Sequence, residues 1–242
     1  MTLINDKTIL YSFDMFYETT MKNTIQVQEV VEPQSGKVHR FYTYNGKHCK
    51  RVLIDTRLTK QLAGYKLIEK DLRSVIVWLK EVNSMLESES SGRGHIHATD
   101  RKLYNIVKGL FVAALTFYGK CFTKCDGRPV KLERRQVAEK YRQKHDELQD
   151  FRNNFAAHSG ATDIESVNVA VIIPRVKKGA VQPRIYTELY QPDFFFAETG
   201  EVEFIDVVES MREVVLGKIK FLNEKIMKEE ILPHGLEHWM KK

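Results

Sequence analysis

In this 242-residue chain, the side chains whose types and spacing best suit chemistry are Arg152, Asn153 and His158, in the run Asp150-Phe-Arg-Asn-Asn-Phe-Ala-Ala-His158. A guanidinium can hold the charge that builds on a phosphate in flight, and an imidazole can move a proton at neutral pH. Together they suit metal-independent cleavage of RNA. The ribose 2′-hydroxyl loses its proton, its oxygen attacks the neighbouring phosphorus, and the product carries a 2′,3′-cyclic phosphate. His158 is expected at a helix end, where unpaired carbonyls favour the imidazolium form and suit donation to the leaving 5′-oxygen. The spacing fits a base or an acid equally. Asn153 could orient the substrate or either partner, and Asp150 could pair with Arg152.

These residues need a helix to place them. Val137, Tyr141, Leu148, Phe151 and Phe155 share one face, which predicts a third helix from about Pro129 to His158, stopped by Ser159-Gly160. On a straight helix, Arg152 lies roughly 60° to one side of the apolar stripe and His158 roughly 60° to the other. Six positions apart, they cannot share a site there. Fraying at Ser159-Gly160 could bring them together, or a two-fold dimer could set Arg152 of one subunit against the partner subunit's His158.

Two helices are expected before it. Leu58, Leu62, Tyr65, Ile68, Leu72, Val75, Leu79, Val82 and Leu86 recur every three or four residues. A Ser/Gly connection over 87–94 follows, then Thr99 or Asp100 as a cap, then a stripe of Leu103, Val107, Leu110, Ala114, Phe117 and Cys121. The short turn at Asp126-Gly127 makes neighbouring helices antiparallel. Strands are expected at Ile25–Val31, Val38–Tyr44 and Val52–Ile54, with Asn45-Gly46 as a hairpin turn, and again at Val167–Ile173, Arg184–Tyr190 and Phe194–Phe196. Ile205, Val208, Met211, Val215, Ile219, Leu222 and Ile226 mark a last helix. The fold class is therefore mainly α (α+β), a helical bundle with small antiparallel β elements at the N-terminus and between the third and last helices.

Composition supports a folded chain, with 43% hydrophobic and 29% charged residues. The longest apolar run, Leu110–Phe117, is too short to cross a membrane, and no signal segment is recognised, so a cytoplasmic protein is expected. Cys49, Cys121 and Cys125 form no disulfide framework, and Cys121 belongs in the core. His95, His97 and Asp100 resemble a partial metal site, but exposed linker histidines explain them better, and neither metal nor cofactor is expected. Of the net charge of +6, much lies in a stripe between Arg128 and Lys144. Arg142, Lys144, His145 and Lys120 are the expected RNA contacts, with Lys124 and Arg128 as further phosphate candidates. A solvated helix face, with His145 on the surface, would give the same pattern.

Arg152-Asn153-Asn-Phe-Ala-Ala-His158 resembles the signature of the HEPN superfamily: an arginine, a polar residue, a short spacer and a histidine, late in a long helix paired with a preceding one. The resemblance covers roughly Leu58 to Gly160 and implies an antiparallel HEPN-like bundle. It implies a homodimeric, metal-independent endoribonuclease of toxin–antitoxin or abortive-infection type. Arg152 and His158 would then be catalytic, Asn153 supporting, and an antitoxin or another protein the partner. Some members of the superfamily have lost nuclease activity, so a non-catalytic module binding RNA, a nucleotide or a protein is the alternative. The implied organisation is an N-terminal β extension (1–56), a helical core (57–160), a β-hairpin insertion (161–200) and a C-terminal helix on the core (201–242).

Overall fold

The computed structural model describes residues 24–89, 101–153, 166–173, 182–190 and 202–242. In chain order its elements are β1 (Ile25–Val31), β2 (Val38–Tyr44), β3 (Lys47–His48), α1 (Arg57–Glu89), α2 (Arg101–Phe122), α3 (Arg142–Phe151), β4 (Ser166–Ile172), β5 (Arg184–Tyr190), α4 (Phe204–Ile226) and α5 (Gly235–Lys241). The architecture is mainly helical with small antiparallel sheets. Among the described residues no helix is long and apolar enough to cross a membrane. Two compact units share the chain, residues 56–228 and a smaller one of 24–55 with Glu229–Lys242.

In the larger unit, α1 is the central helix and packs on both α2 and α4. Contacts fix the directions. Asp71 pairs with Lys120, and Val82 clusters with Tyr104 and Val107, so α2 runs antiparallel to α1. Lys80 meets Glu209, and Lys218 lies over the Tyr65 ring, so α4 does the same. The predicted stripe of α1 is the buried one: Ile68, Leu72, Val75 and Leu79 join Leu115, Met211 and Val215 in the core, and Val82 packs with Tyr104 and Val107 in a second cluster. Each such aliphatic side chain contributes about 1.5–3 kcal/mol by leaving water. Thr56 and Thr59 cap α1 reciprocally, and Glu203 with Asp206 forms the same kind of box on α4. β4 and β5 form a two-stranded sheet whose Val167, Val169, Val171 and Ile185 share an exposed face.

The smaller unit holds the β1-β2-β3 sheet. Asn45 (φ 48°) and Gly46 (φ 74°) make the tight turn that the Asn-Gly pair predicts. The third strand differs from expectation: it is Lys47–His48, paired with Thr43 and Tyr44, whereas Val52–Ile54 is not a strand. A two-residue turn requires the partner strand to follow at once, which Val52 is too late to do. The C-terminal segment differs too, since α4 ends at Ile226 and Glu229–Lys242 join the smaller unit. A wider π turn (Met227–Ile231) and a 3-10 turn containing Pro233 break the helix, because proline has no N–H to continue it. Within that unit Lys50 Nζ donates to the Met240 carbonyl at 2.6 Å. The expected strand Phe194–Phe196 lies outside the described residues.

Candidate functional site

The predicted third helix is only ten residues long. From Pro129 the chain has no regular structure until it makes 3-10 turns at Arg134–Gln136 and Glu139–Tyr141, and it becomes α-helical at Arg142. Packing explains the break: Leu132 and Val137 are both buried, and an interval of five residues, about 140° around a helix, would not put both on one face of a continuous one. Leu132 N–H donates to the Cys121 carbonyl at 2.9 Å, tying this stretch to the end of α2. Glu133 and Gln136 then exchange cap hydrogen bonds, and Val137 leaves at ψ 127°, outside helical space.

At its other end α3 passes into a π turn at Arg152 and Asn153. The straight-helix angles used to place His158 therefore do not extend past Phe151. His158 and Phe155 lie outside the described residues, as do His95, His97 and Asp100. Phe151 faces inward, with its ring 6.0 Å from Phe111, and Leu148 is buried, so the apolar face at this end is as predicted.

Arg152 is half-buried, and its aliphatic stem lies on α2 at Gly119. A Cβ on residue 119 would sit 3.1 Å from Arg152 Cδ and Nε and 3.3 Å from Cγ, closer than ordinary carbon contacts. Gly119 has no positive φ to justify it, and glycine within a helix costs about 0.5–1 kcal/mol relative to alanine. Gly109 in the same helix has nothing within 4 Å. At the far end of the arginine, Nη1 donates to Asn153 Oδ1 at 2.9 Å. The structure thus brings Arg152 and Asn153 together, whereas Asp150 is exposed on the helix before them.

His145, expected as a surface residue or an RNA contact, is buried. It is 3% exposed, and its Nδ1 lies 2.7 Å from the Tyr118 hydroxyl. Its ring stands 4.5 Å from that of Phe122, and burial, opposed by Asp146, lowers its pKa. The same burial raises the Tyr118 phenol. The sequence reading erred because it grouped His145 with Arg152 and the basic stripe and left it off the apolar face. His145 is three positions before Leu148, on the face that α3 turns to α2.

The basic stripe is largely engaged within the protein. Arg128 is 5% exposed, and its Nη2 donates to the carbonyls of Lys120 (2.5 Å) and Thr123 (3.2 Å), capping α2. Its Nη1 lies 3.9 Å from Asp71 Oδ2, an oxygen that Lys120 Nζ approaches at 3.0 Å. Asp71 Oδ1 is 3.1 Å from Lys70 Nζ without hydrogen-bond geometry, and Arg128 Nε has no partner among the described residues. Lys120 thus serves a buried carboxylate as well as lying 5.0 Å over the Phe117 ring. Arg134 holds Asp146 bidentately at 2.7 and 2.6 Å, and Arg142 Nε donates to the Val137 carbonyl at 3.2 Å. Burial pushes the Cys121 thiol beneath this cluster up to about 12, so it is inert at neutral pH.

Beside Phe151 a cavity of about 260 Å³ opens between α1, α2, α3 and the start of α4. Leu79, Val82, Phe111, Leu148 and Phe204 line it, with Lys144 among its polar groups. Sequence reasoning missed Asp71, Tyr118 and Gly119. Asp71 was readable, being a carboxylate three residues after Ile68 and four before Val75, inside the apolar stripe of α1. Gly119 was legible only as an oddity within a helix.

Comparison of the chain with protein-family models, curated proteins and solved structures gives no match. Any functional reading therefore rests on the chain's own residues and on the motif at the end of α3.

Proposed function

We propose that this chain is a HEPN-like, metal-independent endoribonuclease acting as a homodimer. Arg152 stabilises charge on the phosphate, Asn153 steadies the arginine, and His158 moves a proton to or from the ribose. The observation that supports this reading is the seat of Arg152. Its stem lies in the notch at Gly119 on the paired helix, and among the described residues its guanidinium bonds to a neutral amide and to no carboxylate that would cancel its charge. A half-exposed guanidinium held in this way is suited to a phosphate oxyanion. A toxin–antitoxin or phage-defence setting in the cytoplasm fits such an activity, with an antitoxin or another protein as regulator.

The test is cleavage of several RNAs by purified protein in EDTA, with the product ends assayed for 2′,3′-cyclic phosphate. Arg152→Ala and His158→Ala should each abolish cleavage while the fold persists. Mixing the two inactive variants should restore part of the activity, because a heterodimer retains one complete Arg/His pair. Absence of cleavage by clean wild-type protein would sink the enzyme reading.

One observation favours a second reading, a non-catalytic module that binds a partner. The basic stripe is largely engaged internally, and the apolar cavity beside Phe151 could receive a hydrophobic side chain of a protein. On that reading the same variants change binding, and no RNA is cut.

A further inference from the structure

We infer that Gly119 is a positioning residue for Arg152, an inference that rests on the nuclease reading and deepens it. Gly119 is buried in α2, and what covers it is the stem of Arg152, at 3.1 Å from the position a Cβ would take. Its helical backbone gives glycine no conformational advantage, and Gly109 shows that not every glycine of this helix receives a neighbour. The notch lets the arginine lie flat against α2. Its last carbons are then held from below by the helix backbone and its guanidinium from the side by Asn153.

A side chain at 119 lifts the stem and swings the guanidinium from the place where the phosphate charge develops. Displacement of a catalytic group by about 1 Å can cost on the order of 100-fold in rate. Alanine needs the stem to move by a few tenths of an ångström, and leucine needs it to leave. Both residues also favour helix over glycine. For alanine, function and stability should therefore move in opposite directions. A glycine that only served packing between α2 and α3 would lose both.

The experiment measures RNA cleavage and thermal melting for Gly119→Ala, Gly119→Leu and Arg152→Ala. The expected result is a loss of about 10-fold in kcat for alanine and about 100-fold for leucine, with Tm unchanged or higher for alanine. Free methylguanidine supplies a second readout. It should partly restore cleavage to Arg152→Ala, whose notch is open, and fail to restore the Arg152→Ala/Gly119→Leu double variant, whose notch is filled. Equal rescue of both overturns the inference. So does wild-type cleavage by the two glycine variants when Arg152→Ala is inactive, an outcome that leaves the nuclease reading standing. If wild type cuts no RNA, the nuclease reading falls and takes the inference with it.

Discussion

Two arginines lie against the C-terminal half of α2, and the protein treats them differently. Arg128 is buried, caps two carbonyls of the helix end and faces the Asp71 carboxylate, so its charge is consumed by the fold. Arg152 lies half-exposed over Gly119, with an amide as its hydrogen-bond partner. Arg128 opens the basic stripe and Arg152 lies beyond its end, and of the two only Arg152 is without a carboxylate partner among the described residues. Desolvation explains why. A guanidinium taken out of water must be matched by a carboxylate and carbonyls, whereas one at the rim needs only steadying.

Substitution should separate the pair most clearly at Arg128. Arg128→Ala leaves Asp71 buried beside a broken network and uncaps α2, and should cost about 3 kcal/mol or more in urea unfolding. Arg152→Ala should stay within about 0.5 kcal/mol while removing cleavage. Equal losses of stability would erase the distinction between the two seats.

A smaller effect tests the polar contact that joins α3 to α2 beneath Arg152. Tyr118→Phe strands His145 Nδ1 in the core and should cost about 1–2 kcal/mol in the same measurement. If it costs nothing, α3 is not held there and the site above it loses its footing.

The pH dependence sharpens the same point. Unfolded His145 titrates near 6.5, and burial lowers its value in the folded state. Above 6.5 both states are neutral and stability is complete. As pH falls below 6.5, the unfolded chain takes up a proton that the folded one refuses, so stability drops until the lowered folded value is reached. The slope should not exceed about 1.4 kcal/mol per pH unit, and His145→Gln should flatten it when urea midpoints are compared between about pH 7 and 5.

The least effect is expected on the surface. Arg134→Ala breaks an exposed pair with Asp146, and its melting temperature should match wild type at ordinary salt. A clear loss would mean that the stripe supports the fold as strongly as Arg128 does.

How far the sequence carried depended on the range of the forces at work. The stripes of α1, α2 and α4 were legible because a 3.6-residue period and burial of one face are local properties. The Asn45-Gly46 turn was legible because its φ angles are a property of those two residues. The third helix was drawn too long, since Val137 and Leu148 both read as apolar-face residues and nothing in the pattern shows that they reach the core separately. Arg152 and Asn153 were visible as a motif. The depth of His145 and the two roles of Lys120 were not, because Tyr118 and Asp71 come from other helices.

By itself, the sequence determined a mainly helical chain with small antiparallel sheets and an Arg-Asn pair late in the third helical segment. Local propensity and periodicity suffice for that. Only the tertiary structure decided which basic side chains are consumed, where α3 begins, and that Gly119 lies under Arg152. Those outcomes depend on which helix faces which, and on the desolvation that follows when they close.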